Sequence, residues 1–288
     1  MAYSLKDVEI KINATKNTMQ ITKAMEMVSQ SKVKKSQKAL NSYKLYLDSI
    51  HKLTSQIMAN VESTYKNPLI LDARSDKTLY LLITSDKGLC GAYNANVYKT
   101  FKEEVKNVVP TNVTVASLGK MGFSFTKRNN YNLYYDKVIH VRDDVMYIDL
   151  EPLFNALING FMKRDFDQIK IVYNHFVNSL TTEVKVETLL PFKVEQASNT
   201  NIVYNYEMGV NETLDEILPI CALDILYGII LDSKAAEHQA RVNSMRNATD
   251  NAKDVISKLQ LLYNKARQEG ITNELNDIIG GASFGGGK

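Results

Sequence analysis

The distribution of helix-breaking residues is the feature of this sequence that most limits its possible folds. The first proline is Pro68, the first glycine is Gly88, and all five prolines lie between Pro68 and Pro219. Proline inside a helix costs about 3 kcal/mol and glycine about 1 kcal/mol relative to alanine, so residues 1–67 can form one uninterrupted helix. Such a helix would be on the order of 90 Å long. That length is typical of a coiled coil.

A heptad pattern in the same segment indicates how this helix would pack. Steps of seven from Leu5 meet an apolar residue at seven of nine positions, whereas the row that starts at Val8 is apolar only at its ends. Between Thr15 and Ser36 the apolar residues shift to other faces, namely Ile21, Ala24, Met25, Met27 and Val28. A helix that is apolar on several sides requires more than one partner. An ordinary bundle helix with an irregular register is the alternative interpretation.

The C-terminal part of the chain predicts a second long helix. No proline follows Pro219, and only Gly228 and Gly270 interrupt the sequence before Ile279. A helix of about 60 residues, or about 90 Å, fits this segment. Its predicted seam has coiled-coil spacing and consists of Met245, Ala248, Ala252, Val255, Leu259, Leu262 and Ala266. We therefore expect the two terminal helices to pair antiparallel as a rod.

The segment between the helices has the alternation of an α/β domain. Strand-like runs lie at residues 77–85, 112–119, 131–139, 168–176 and 182–190, and helical spacing at 92–109, 120–128 and 152–164. This order predicts a mostly parallel sheet closed by a hairpin with its turn near residues 178–181. The predicted fold class is α/β plus long coiled coil, in which an antiparallel two-helix coiled coil carries a central Rossmann-like α/β domain. The predicted domains are an N-terminal helix at 1–67, the α/β domain at 68–208, a C-terminal helix at 209–282 and a disordered glycine-rich tail at 283–288.

Motifs for catalysis or nucleotide binding are absent from the sequence. The glycines of SDKGLCG, residues 85–91, match neither a dinucleotide-binding loop nor a P-loop, so we interpret this motif as a strand-to-helix turn with Cys90 buried. The four histidines show no catalytic or ligand spacing, and the pair Asp143-Asp144 is interpreted as solvated charge. Cys90 and Cys221 are far apart, which argues against a disulfide framework or a zinc site. We expect no catalytic, cofactor-binding or metal-binding residue.

Charge and hydropathy argue against a nucleic-acid-binding protein and against a membrane-spanning one. The net charge of +3 is too small to indicate nucleic-acid binding. Residues 1–60 nevertheless contain ten lysines against four acidic residues, a net charge of +6, which suits either an acidic partner or solubility. The N-terminal residues lack an apolar signal region, and no run reaches the 18 or so apolar residues of a membrane span. We expect a soluble protein without a presequence, in a reducing compartment.

Three segments resemble the gamma subunit of F-type ATP synthases. They are SLKDVEIKINATKNTMQITKAMEMVSQSKVKKSQ at 4–37, SDKGLCGAYN at 85–94, and MRNATDNAKDVISKLQLLYNKARQEGITNELNDIIGGA at 245–282. Their order and the chain length agree with that family, whereas residues 120–210 resemble it mostly in architecture. Two departures from the family pattern are the Asp7-Val8-Glu9-Ile10 stretch, where a basic run is usual, and the extended glycine-rich tail.

The resemblance implies a function for the rod and for the α/β domain. In the family the two terminal helices form an axle inside a ring of alpha and beta subunits, and the α/β domain joins the epsilon subunit and the membrane c-ring. The chain would be a non-catalytic central-stalk subunit that couples rotation to the catalytic sites on beta. By this resemblance the candidate contacts with alpha and beta are Lys23, Met25, Met27, Arg267, Gln268 and Thr272. The complex would be of the bacterial type, peripheral at the cytoplasmic face of the cell membrane.

Other interpretations stay open on the sequence alone. The chain could be the axle of a related ATPase motor that does not synthesise ATP. From another class, it could be a coiled-coil adaptor whose α/β domain binds a small ligand, and a small Rossmann hydrolase ranks third. The sequence does not distinguish synthesis from hydrolysis or protons from sodium ions, because the residues that bind the ion are not on this chain.

Overall fold

Two long helices and a five-stranded sheet form the described part of the chain, which in this computed structural model comprises residues 5–58, 65–71, 75–192 and 209–285. The elements in order are α1 Leu5–Met58, β1 Thr78–Ile83, α2 Tyr93–Glu104, β2 Val113–Leu118, α3 Lys120–Arg128, β3 Asn132–Leu133, α4 Glu151–Met162, β4 Gln168–Phe176, β5 Thr182–Leu190 and α5 Val210–Gly285. Single 3-10 turns occupy Pro110–Asn112 and Tyr147–Leu150. The predicted fold class is confirmed. The chain divides into two units, residues 1–28 with 242–288, and residues 29–241.

The sheet has the predicted topology. Its strand order is β3-β2-β1-β4-β5, with β5 antiparallel to β4 and the other pairs parallel. The predicted strands 168–176 and 182–190 coincide with β4 and β5. The prediction of a strand over 131–139 is wrong beyond Leu133, and only an isolated bridge between Leu118 and Ile139 follows. Exposed Asp136 and Lys137 interrupt the alternation that a longer strand would require.

The helices of the α/β domain end where local backbone geometry requires it. Helix α3 matches the predicted 120–128, but α2 ends at Glu104 instead of residue 109. Val109 precedes Pro110 and is extended, with ψ of 127°, because the proline ring excludes the helical conformation from the preceding residue. Helix α4 ends at Met162, shortly before Arg164, whose φ of 65° cannot continue a helix.

The core of the α/β domain lies on both faces of the central strand β1. Leu79, Leu81 and Ile83 pack into a cluster with residues of α4 and the first part of α5, whereas Tyr80 and Leu82 pack on the other side with α2. Every residue of β1 is buried, as expected for a central parallel strand covered by helices on both faces. The continuous apolar run KTLYLLITS is thereby explained.

Helix α1 presents both heptad rows to its partners. The heptad positions of the seam are all buried or half-buried, at 8, 12, 15, 19, 22 and 26 in the first unit and at 29, 33, 36, 40, 43, 47, 50, 54 and 57 in the second. Ile21, Met27 and Val28 lie on other faces of the helix, as the sequence analysis expects, and all three are exposed. Small polar residues such as Thr22 and Ser29 continue the seam instead. The helix also ends at Met58, not at residue 67, and residues 65–67 are not helical.

Helix α5 is longer than predicted. It begins at Val210, so Pro219 lies inside it, and it continues to Gly285. Pro219 removes one backbone hydrogen bond, but burial of the neighbouring Leu218 and Ala222 in the core offsets that cost. The predicted disordered tail at 283–288 therefore starts within the helix, and residues 286–288 lie outside the described residues, as does the predicted domain boundary at 208.

The inward seam of α5 in the first unit differs from the predicted one. Buried or half-buried residues recur in an unbroken series of three- and four-residue steps, namely Val242, Met245, Thr249, Ala252, Ile256, Leu259, Tyr263 and Ala266, and the predicted Ala248 is half-buried beside this series. Four of the seven predicted seam residues belong to this series, but Val255 and Leu262 are 44% and 49% exposed. The sequence prediction chose apolar residues throughout and so missed the polar Thr249.

Candidate partner interface

The first unit holds all six predicted contact residues, and its helix pair is fixed by a buried polar pair. The hydroxyl oxygens of Thr22 on α1 and Thr249 on α5 lie 2.8 Å apart. Each hydroxyl also lies within hydrogen-bond distance of a carbonyl oxygen of its own helix, that of Met19 or that of Met245. Their small side chains allow a close approach of the helices, and their directed hydrogen bonds favour one register.

Glu26 forms an ionic cluster beside this pair. Its carboxylate accepts a hydrogen bond from Lys23 Nζ at 2.9 Å and one from Arg246 Nε at 3.3 Å. The hydrogen bond from Lys23 is the main cause that lowers the pKa of Glu26, with Arg246 acting in the same direction and burial opposing both. Lys23 thus has a partner within the helix pair, while its side chain stays half-exposed.

From Asn13 to Val28 the outward face of α1 carries no charged side chain, although Lys6 lies on the same face nearer the N-terminus. In a seven-residue repeat, the positions opposite the seam are Asn13, Ala14, Asn17, Gln20, Ile21, Ala24, Met27 and Val28, and all are exposed. The predicted contact Met27 lies in this face and is 59% exposed, whereas Met25 lies at its margin and is half-buried. Unbranched thioethers adapt to varied neighbours, so this uncharged face suits a surface that slides against a partner.

Arg267, Gln268 and Thr272 lie exposed on α5, some distance from that face. The Thr272 hydroxyl donates to the Gln268 carbonyl oxygen at 2.9 Å, and Arg267 forms no ion pair within the described residues. Arg267 follows Thr249 by 18 residues (267 − 249), which corresponds to about 27 Å along the helix. Because Thr249 lies opposite Thr22, the structure does not bring the two predicted groups together; they form separate patches.

The same end of α5 also carries an exposed apolar stripe that starts at Ile271. Ile271, Leu275 and Ile278 recur at four- and three-residue steps, and each is about half-exposed or more, as is Ile279. Residues at such spacing share one face of a helix. Within the described residues nothing covers this stripe, which is therefore available to another chain.

The SDKGLCG segment forms the predicted strand-to-helix turn. Asn94 holds it, with its Oδ1 accepting from the Ser85 amide at 3.0 Å and its Nδ2 donating to Ser85 Oγ at 2.7 Å. Gly91 has φ of 59°, but the other left-handed residue is Leu89, not Gly88. Cys90 is buried, as predicted.

The second unit contains a buried ionic network that the sequence did not indicate. Lys234 on α5 donates to Glu237 at 3.0 Å and to the Val141 carbonyl oxygen at 2.8 Å, and Arg241 donates to Glu237 at 2.7 Å. These charged side chains recur at three- and four-residue steps and are nearly fully buried. Only that spacing inside a largely apolar helix could have signalled a buried cluster.

Asp143 joins this network, so the interpretation of Asp143-Asp144 as solvated charge is wrong for Asp143. Its carboxylate accepts from Lys32 on α1 at 2.6 Å and lies 3.4 Å from Lys234 Nζ and 3.2 Å from His238 Nε2. The adjacent His238 is the main cause that holds the pKa of Asp143 far below its ordinary value, with Lys32 and Lys234 acting in the same direction and burial opposing them. Asp143 and its partners on α1 and α5 come from three separate parts of the chain, so sequence spacing could not reveal these contacts.

Three of the four histidines lie beside acidic residues that are distant in the sequence. His238 lies beside Asp143, His140 Nδ1 is 3.0 Å from Asp86, and His175 Nδ1 is 2.5 Å from Asp232. The His238 pair joins a loop to α5, the His175 pair joins β4 to α5, and the His140 pair joins two loops. Nowhere in the described ranges do His, Cys, Asp and Glu residues cluster as a metal site, and no helix there is long and apolar enough to cross a membrane.

Comparison with known proteins places the whole chain in one family. The ATP synthase family model that matches covers residues 4–283. The ATP synthase gamma chain of Exiguobacterium sibiricum is 38% identical over 282 residues, which cover 97% of this chain and 98% of the relative.

Solved structures share the fold. The central stalk and c-ring structure of Tetrahymena thermophila mitochondrial ATP synthase contains a chain with a TM-score of 0.57 and 24% identity, covering 79% of this chain and 99% of that one. A chain of the Euglena gracilis mitochondrial ATP synthase has a TM-score of 0.66 and 18% identity, covering 98% and 94%. With its long helix pair, its α/β domain and these relatives, the chain belongs to the ATP synthase gamma chain family, whose members are non-catalytic subunits of the central stalk.

Proposed function

We propose that this chain is the axle of a rotary ATP synthase, with its α1 and α5 helices inside a ring of alpha and beta subunits. Its α/β domain would contact the epsilon subunit and the membrane c-ring. The observation that carries the proposal is the uncharged outward face of α1 around Met27, since a charged side chain would form strong, direction-dependent contacts that oppose rotation. The family membership decides against a coiled-coil adaptor and against a small hydrolase.

The six predicted residues would contact alpha and beta in two zones. Met25 and Met27 would supply the adaptable sliding surface, with Lys23 held at its side by Glu26. Arg267, Gln268 and Thr272 would form a separate zone, where the unpaired guanidinium and amide offer directional hydrogen bonds to a partner. The apolar stripe from Ile271 to Ile279 would continue this zone to the end of the helix.

The location and domain limits follow from the same proposal. The complex would lie peripherally at the cytoplasmic face of a bacterial cell membrane, and this chain would reach that membrane through the c-ring. The functional divisions would be helix α1 (Leu5–Met58), the α/β domain between the two long helices, and helix α5 (Val210–Gly285).

A charge placed in the outward face tests the axle proposal. Met27→Glu in the assembled complex should lower steady-state ATP hydrolysis by about tenfold or more, because the carboxylate would have to lose water against the ring. Met27→Leu is the matched control and should retain nearly full turnover, since it keeps the apolar volume. Equal turnover of both variants, with equal assembly, would contradict a ring around this face.

A further inference from the structure

Asp224 on α5 is a buried carboxylate whose partners are tyrosine hydroxyls. Its side chain belongs to a residue that is only 2% exposed. Tyr43 Oη donates to its Oδ1 at 2.9 Å, and Tyr46 Oη donates to its Oδ2 at 3.1 Å. Both tyrosines lie on α1, so the carboxylate joins the two helices within the second unit.

The charge of Asp224 is not balanced by a cation within the described residues. Another buried acid of the same unit, Glu237, is balanced, since it lies 3.0 Å from Lys234 and 2.7 Å from Arg241. An isolated charge in a protein interior is costly, and hydroxyl dipoles offset only part of that cost. A cation supplied from outside the chain would remove the remainder.

A cavity gives such a cation access to Asp224. It has a volume of about 410 Å³, opens to the surface, and is lined by Tyr43, Tyr46, Tyr147 and Asp224. The ring centroids of Tyr43 and Tyr46 are 5.5 Å apart, and that of Tyr227 lies 4.9 Å from Tyr43 and nearly perpendicular to it. Aromatic faces attract cations through the ring quadrupole, so this lining suits an ammonium or guanidinium group.

The tyrosines that surround the carboxylate are protonated. Burial, followed by Asp224, raises the pKa of Tyr43 and of Tyr147 well above the ordinary value, and the same two causes raise that of Tyr46. The hydroxyls therefore remain neutral donors to the carboxylate at any physiological pH.

Three residues adjacent in sequence to the cavity lining are apolar and exposed. Leu45 precedes Tyr46 and is 72% exposed, while Met146 and Ile148 flank Tyr147 and are 62% and 65% exposed. Tyrosine and arginine are prominent among the residues that dominate interface energetics, and apolar neighbours exclude water around them. We propose that the Tyr43, Tyr46, Tyr147 and Asp224 cavity binds an arginine or lysine side chain of a partner protein, with Leu45, Met146 and Ile148 forming the apolar surround.

A titration of the isolated full-length chain tests the cation preference without any partner. The probe is Nα-acetyl-arginine methylamide, and the matched neutral probe is the citrulline analogue, which has nearly the same shape. Ring-labelled tyrosine NMR should show saturable shifts of Tyr43, Tyr46 and Tyr147 with the arginine probe at a dissociation constant on the order of millimolar. The citrulline probe should bind at least about tenfold more weakly. Equal affinity for both probes would overturn the proposal.

Variants locate the binding at the carboxylate. Asp224→Asn keeps the shape and should abolish the difference between the two probes. The control is Asp215→Asn. Asp215 is another carboxylate of α5 that accepts a hydrogen bond from a tyrosine, namely Tyr65 at 2.6 Å, but it does not line the cavity. A difference that persists in Asp224→Asn, or that is lost in Asp215→Asn, would place the cation elsewhere and contradict the proposal. The comparison of the two probes on the unmodified chain remains decisive if Asp224→Asn does not fold.

Photocrosslinking in the assembled complex tests the source of the cation. Benzoylphenylalanine in place of Leu45 should crosslink to a segment of a neighbouring subunit that contains arginine or lysine. Replacement of that arginine or lysine by glutamine should lower the crosslinking yield severalfold. A crosslinked segment without a basic residue, or no crosslinked protein, would overturn the assignment to a partner side chain. The NMR titration is independent of the axle proposal, so the two can fail separately.

Discussion

Thr22 and Thr249 place their hydroxyl oxygens 2.8 Å apart across the two long helices, at positions where a coiled coil usually has apolar residues. We expect Thr22→Val to lower the free energy of unfolding by about 1 kcal/mol, since it leaves Thr249 with fewer partners. The double replacement by valine should cost less than the sum of the single replacements, because it leaves neither hydroxyl unpaired. Urea unfolding of the four proteins in a double-mutant cycle measures this coupling, and strict additivity would contradict it.

Glu26 should make stability depend on pH in the acidic range. Its pKa in the folded chain is lowered from the ordinary value of 4.5, so its contribution is present above about pH 4.5 and is lost as the pH falls through the folded pKa. Glu26→Gln should therefore unfold more easily than the unmodified chain at neutral pH, and the difference should shrink below about pH 4. Thermal unfolding across this range measures it.

The matched control for Glu26 is Asp250→Asn. Asp250 forms an exposed pair with Lys253, and such surface pairs contribute little to stability. We expect the control to differ only slightly from the unmodified chain at neutral pH. A control effect as large as that of Glu26→Gln would mean that burial of the Glu26 cluster has no special importance.

The register of the α5 seam can be checked with two identical substitutions. Leu259 lies in the observed seam, whereas Leu262 is 49% exposed. Leu259→Ala should lower the free energy of unfolding by about 1 kcal/mol or more, while Leu262→Ala should change it by at most about half that amount. Chemical denaturation followed by helical circular dichroism provides the comparison, and similar costs for the two substitutions would support the register predicted from the sequence, which includes both residues.

Two truncations separate the end of α5 from the proposed contacts. Deletion of residues 281–288 should leave assembly and turnover nearly unchanged, because it removes four of the glycines and none of the proposed contacts. Deletion from Asn264 onward also removes Arg267, Gln268 and Thr272 and the apolar stripe, so coupled ion transport should fall severalfold. ATP hydrolysis and ion transport would be measured in parallel. Equal behaviour of the two truncated complexes would withdraw these contacts.

Regular elements were predictable because their signals are local. The period of two in β4 and β5 and the breaker-free ends of the chain were enough to predict the sheet and the helix pair. The failures have a common physical cause, which is that tertiary contacts outweighed local preference. Burial of Leu218 and Ala222 retains Pro219 inside α5, and the hydroxyl contact with Thr22 places Thr249 in the seam.

The partners of buried charges were the least predictable part of the structure. Asp143 has polar neighbours on both sides in the sequence. Its three basic partners are distant in the sequence, since Lys32 lies on α1 and Lys234 and His238 lie on α5. Asp224 likewise shows nothing in the local sequence that predicts tyrosines from α1 around it. Contacts of this kind depend on the assembled fold, which a single sequence does not display.

The Asp143 network also has a mechanical consequence. One carboxylate of the α/β domain is tied to Lys32 on α1 and to Lys234 and His238 on α5, all within the second unit. A turning moment applied to the domain is thus delivered to both helices at the same level, and neither can slip around the other there. Elastic twist must then be stored in the parts of the two helices that lack such a tie.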